Sequence, residues 1–267
     1  MTENLTVEAP SDKNIFVKKP RLAFLGVGWI GRDRMSSILR SGLAETAVIA
    51  DASKKTIDGL KKSSFSAKYL SSLEEVLNEE IDGIVIATPS ALHADQAIAS
   101  IEKGIPVFCQ KPLGRNMKET AMVVEAAKKN NMLLGVDLSY RFTDAFKAVY
   151  KRIKSGQLGK IYAANLEFHN AYGPDKPWFY NIELSGGGCL IDLGIHLIDI
   201  AFYSLGFPKV KSVTSKVYHK GEEISPKSNL VEDYVTARLE LENDISINIS
   251  CSWNLSIGKE CEIEASF

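Results

Sequence analysis

Gly26, Gly28 and Gly31 form a G-x-G-x-x-G run that directly follows a short apolar segment, residues 21–25, and opens a helically periodic one, residues 30–41. Few sequence features narrow a fold so far. The first glycine allows a tight strand-to-helix turn, the second lets backbone approach a pyrophosphate, and the third lets helix and strand pack closely. The exposed N–H groups at the helix start then face the phosphates. Gly26, Gly28, Trp29, Ile30 and Gly31 are thus expected to form a dinucleotide-binding loop. Asp51 closes the next apolar run, residues 44–50, about 20 residues on, where an acid meets the adenosine ribose hydroxyls. A carboxylate there favours NAD over NADP, although Ser53, Lys54 and Lys55 beside it leave room for a 2′-phosphate.

The rest of the first half repeats the alternation. Helical spacing over 54–62, 91–103 and 116–130 separates strand-like runs at 83–87, 106–109 and 133–138. The run GIVIA is apolar on both faces, as a covered parallel strand requires. These features predict a doubly wound parallel sheet. Ends of its later strands line the same crevice, which brings in Thr88, Pro89, Ser90, Gln110 and Lys111. Ser90 is equally readable as a helix cap. Lys111 follows a strand and precedes Pro112, which holds it extended, so it points at the crevice.

Beyond residue 138 the pattern changes. Helices are expected over 144–155 and 189–205, and strands over 161–168, 209–218, 231–241, 244–253 and 260–267, with a tight turn at 242–244. The chain therefore reads as α/β: a polar arm (1–20), a Rossmann domain (21–138) and an α+β domain with a mostly antiparallel open sheet (139–267).

Composition excludes some classes. Net charge is −1 over 267 residues, so nothing draws the chain to nucleic acid or an anionic surface. No apolar run is judged to approach the ~20 residues of a membrane span, and residues 1–20 lack a signal-peptide core; a cytoplasmic location is expected. The four cysteines, Cys109, Cys189, Cys251 and Cys261, have no metal-ligand spacing and are expected to be reduced and buried, with no metal.

A second constellation lies at residues 186–199. Asp192 and His196 stand four apart on one expected helix, behind three glycines that let backbone approach a ligand closely. Two ionisable groups on so apolar a helix are costly unless paired or functional. With Lys111 they make a candidate catalytic set.

These stretches together resemble a known family. GVGWIGR (26–32), TPSALH (88–93), VFCQKPLG (107–114), YRF (140–142) and SGGGCLIDLGIHLID (185–199) are similar to the glucose–fructose oxidoreductase / inositol dehydrogenase family, Gfo/Idh/MocA. The resemblance runs from about Arg21 to the end. It implies NAD(P)-linked oxidation or reduction of a sugar, inositol or related polyol. By position it implies Lys111 as the catalytic lysine, His196 as general acid/base, and Asp192 as the acid that orients the histidine or the substrate. It places Arg141 near nicotinamide and substrate and His93 near the cofactor, with a helix-surface histidine as the alternative. Tyr140, His169, Asn170, Tyr172 and Trp178 fall in the segment that shapes the pocket. The family has Glu where this chain has Gln110, and its members continue past the position of Phe267, so the second domain is expected to be incomplete. Sheet-face association into a dimer or tetramer is implied too. Alternatives within the resemblance are a transient-redox glycosidase or epimerase, a non-enzymatic dinucleotide-binding regulator, and an inactive fragment.

Overall fold

The structure is a computed structural model that describes residues 18–62, 65–225 and 228–255, and the backbone of strand 262–266. Most of the 1–20 arm and Cys261 lie outside the described residues.

The first sheet is built from β1 (Arg21–Leu25), β2 (Glu45–Ala50), β3 (Lys68–Leu70), β4 (Gly83–Ile86), β5 (Val107–Cys109) and β6 (Leu134–Val136). Its order is β3-β2-β1-β4-β5-β6, with every pairing parallel. The apolar strands follow from the layering. Ala23, Leu25, Ile84 and Ile86 pack into one core, while Phe24, Ile49 and Val85 pack into another on the opposite face. The order reverses between β1 and β4, where a ligand crevice opens at the carboxyl ends.

Helices α1 (Trp29–Arg40), α2 (Lys54–Lys61), α4 (Ser90–Glu102) and α5 (Met117–Lys129) cover the faces, and α3 (Leu73–Val76) is a single turn. β3 and α3 escape the sequence reading: KYL is short, polar and at the sheet edge. Ser53, Ser72 and Asn116 cap α2, α3 and α5 with side-chain oxygens. The starts of α1 and α4, which follow β1 and β4, have no side-chain cap. Ser90 is the first residue of α4 and not its cap, so the capping alternative falls away.

The second sheet contains β7 (Ala163–His169), β8 (Val210–His219), β9 (Glu222–Glu223), β10 (Tyr234–Leu241), β11 (Ser246–Ser252) and β12 (Glu262–Ser266), in the order β12-β7-β11-β10-β8-β9. It is mostly antiparallel, as expected, with β7 and β11 parallel. The turn after β10 closes through Asp244 at φ 61°, a left-handed position that Asp tolerates. The chain continues through α6 (Asp144–Lys154), the single turn α7 (Ile182–Ser185) and α8 (Ile195–Leu205), and one face of the sheet packs on α6 and α8 through Phe146, Leu166, Leu197, Ile200 and Ile249. The other face carries Thr236, Arg238 and Asn248.

Two expectations are corrected here. The helix expected over 189–205 begins as a π turn, Leu190–Gly194, before α8. And the helical run Ile182–Leu205, of mean hydropathy 1.5, is long and apolar enough to cross a membrane, contrary to the sequence reading; 56% of its apolar window is buried inside the protein, as in a core helix.

Candidate active site

The glycine loop has the shape its spacing demands. Gly26 sits at φ 82°, and a Cβ there would lie 2.6 Å from the Ala87 carbonyl carbon. A Cβ on Gly31 would lie 1.9 Å from the Gly26 oxygen. Gly28 has nothing within 4 Å of that position, so space is open beside the uncapped start of α1. Asp51 secures the loop: its carboxylate accepts from the Val27 N–H (2.9 Å) and the Ser53 N–H (2.8 Å). Trp29 is largely exposed, and Thr88 donates from its hydroxyl to Gln96 (2.6 Å). An open strip next to unsatisfied N–H groups, with an acid at the end of β2, fits a dinucleotide.

Lys111 extends from the end of β5 across to the π turn. Its ammonium donates to the Asp192 backbone oxygen (2.8 Å) and to Asp192 Oδ1 (2.6 Å). The other carboxylate oxygen, Oδ2, accepts from the Trp253 indole N–H at 3.0 Å. Asp192 therefore spends its hydrogen bonds on Lys111 and Trp253. His196 stands one turn on, buried, with Tyr140 against its ring (centroids 4.5 Å apart) and Phe168 beyond. Its Nδ1 is buried without a hydrogen-bond partner. Burial, then the Lys111 charge, push the ring down to about 3 against the opposing pull of Asp192.

Two of the three glycines before this turn, Gly186 and Gly188, answer to protein packing. Gly186 is left-handed against Arg115, and a Cβ on Gly188 would lie 1.8 Å from the Glu232 backbone oxygen. At Gly188 the segment leading into β10 makes the close approach. Buried Glu232 accepts from the Leu190 N–H (3.1 Å) and so holds the start of the π turn; burial pushes its carboxyl upward.

Gln110 is buried and donates to Asp137 at the end of β6, which also pairs with Arg34 of α1. A carboxylate already occupies this spot, so an amide at 110 supplies the donor that a glutamate would lack. Arg141 grips Asp199 with two N–H groups and lies over the Tyr203 ring at 4.6 Å. His93 is buried, not on a helix surface: Nδ1 lies 2.7 Å from the Pro112 oxygen and Nε2 2.7 Å from the Thr88 oxygen. It ties together the ends of β4 and β5. Burial pushes this ring's pKa down, against the two carbonyls. Of the expected pocket segment, His169 stacks on Tyr234, Trp178 stacks on Phe179, Tyr172 is exposed and Asn170 Oδ1 is buried without a partner.

Trp253, Asp137 and Arg34 were missed by sequence reasoning. Asp137 ends a parallel strand on the crevice side, a signal that was available. Trp253 carried none, because only the fold brings it to Asp192.

Residues 20–138 match the family model "Oxidoreductase family, NAD-binding Rossmann fold", and residues 146–266 match "GFO/IDH/MocA C-terminal domain". The chain belongs to the GFO/IDH/MocA family. D-glucoside 3-dehydrogenase of Escherichia coli (strain K12) is 31% identical over 70% of this chain and 56% of its own length. The scyllo-inositol 2-dehydrogenase (NAD(+)) of Bacillus subtilis (strain 168) is 30% identical over 70% of this chain and 54% of its own. The match thus spans little more than half of these relatives. Levoglucosan dehydrogenase in complex with NADH superposes with a TM-score of 0.82 at 23% identity, covering 93% of this chain and 72% of that one, which shows a shared fold. The first half is a NAD-binding Rossmann domain.

Proposed function

We propose that this family member is a NAD-dependent dehydrogenase acting on a CH–OH group of a sugar, inositol or related polyol. The carrying observation is the Lys111 ammonium fixed by Asp192 beside a neutral, buried His196. An ammonium has three donors. Two are spent on Asp192, and the third is left for a substrate oxygen. When bound, the dinucleotide supplies a nicotinamide ring that accepts or returns a hydride. Gly28 and the open start of α1 receive its pyrophosphate, and Asp51 its adenosine ribose. Lys111 stabilises the charge that develops on the substrate oxygen. His196 takes the hydroxyl proton at Nε2, since Nδ1 is buried without a partner. Thr88, Pro89, Ser90 and Gln110 line the crevice between the two, and His93 acts through the loops it ties. Arg141 braces the 139–142 turn against α8 by way of Asp199. The names of the relatives support the substrate class. We also propose a homo-oligomer formed through the uncovered face of the second sheet.

Calorimetric titration with NAD and with NADP comes first, because Asp51 favours NAD. Lys111→Ala should then remove turnover, by about a hundredfold or more for a lost oxyanion donor, while NAD affinity stays. Retained turnover ends the assignment. Net release of NADH on adding a polyol separates a dehydrogenase from an enzyme that oxidises transiently.

A further inference from the structure

We propose that Trp253 is a positioning residue for the Lys111–Asp192 pair, an inference that rests on the catalytic reading above. Trp253 follows β11 and is fully buried. Its backbone N–H donates to the Asp233 oxygen (2.9 Å), so the residue is pinned before its side chain begins. Tyr180 and Phe179 meet the indole edge-on, with centroids 5.4 and 6.2 Å away. A buried indole N–H needs an acceptor, and it finds Asp192 Oδ2 at 3.0 Å.

The consequence lies at the lysine. Asp192 offers two carboxylate oxygens, and each is claimed by a different donor, Oδ1 by Lys111 and Oδ2 by Trp253. The carboxylate plane is thereby fixed. Without the indole, the carboxylate is free to turn and offer Oδ2 to Lys111 as well. That second bond would consume the ammonium hydrogen left for the substrate oxygen. Trp253 thus keeps the carboxylate single-handed on the lysine, and the third N–H stays available.

Trp253→Phe removes the N–H and keeps an aromatic ring against Tyr180 and Phe179. NAD affinity should be unchanged, because the partners of Trp253, namely Asp192, Asp233, Phe179 and Tyr180, all lie outside the glycine loop. The rate of single-turnover hydride transfer from the polyol that supports turnover should fall about tenfold, the scale of a hydrogen bond to a charged group. In an Asp192→Ala background the same substitution should cost nothing further. Independently of activity, the Trp253 indole signal in a 15N-correlated NMR spectrum, assigned by its loss in Trp253→Phe, should move upfield in Asp192→Ala. Wild-type transfer rates in Trp253→Phe, an equal loss in the Asp192→Ala background, or an unmoved indole signal overturns the proposal. Should Lys111→Ala and Asp192→Ala both keep full turnover while the indole signal does move, it is the catalytic reading that fails.

Discussion

The unfolded His196 ring takes up a proton near pH 6.5, and the folded one only near 3. Between these values the unfolded chain binds more protons, so this residue makes stability rise with pH across that window. Acidifying from pH 7 to pH 4 should lower the melting temperature, and His196→Asn should flatten part of that slope. His93 and His169 are also pushed down by burial and keep the same sign, so the slope is reduced and not abolished. A melting curve for His196→Asn parallel to the wild type across pH 4–7 would contradict the burial argument.

At the scale of elements, the glycine loop separates fold from binding. Gly31→Ala forces a Cβ onto the Gly26 carbonyl and should destabilise the protein by about 1–3 kcal/mol or more. Gly28→Ala meets nothing in the protein, with backbone at φ −63°, so its melting temperature should stay near wild type. Its NAD affinity should nonetheless drop by at least about tenfold, because the methyl occupies the space the phosphates need. Calorimetry beside thermal melts distinguishes the two. The tight turn at Gly26 and the close packing at Gly31 were legible in the sequence, from the glycine spacing read together with its strand-to-helix context. The π turn was not. Four-residue spacing put Asp192 and His196 on one face, but the Ile195 N–H bonds back to the Leu190 oxygen, five residues away, and Asp192 turns to Lys111 and Trp253. Trp253 and Arg34 reach the site only through tertiary packing, which periodicity does not encode. Short edge elements such as β3 carry too few apolar residues to announce themselves.

For the whole molecule, the open face of the second sheet is polar, with Lys216, Thr236, Arg238 and Asn248 in neighbouring positions of β8, β10 and β11. If this face joins copies of the chain, light scattering should give the mass of a dimer or tetramer. Thr236→Arg, at the centre of the face, should then shift it toward monomer. A monomeric wild type removes the proposed association. The two layers also meet through a small set of polar contacts. Arg34 of α1 reaches Ser139, Arg115 reaches the Glu183 carbonyl, and Lys111 reaches Asp192. The last of these makes the chemistry a gauge of distance. The ammonium that meets the substrate hangs from one half of the molecule and is aimed by the other. A parting of the halves by an ångström would disarm it while every strand stayed paired.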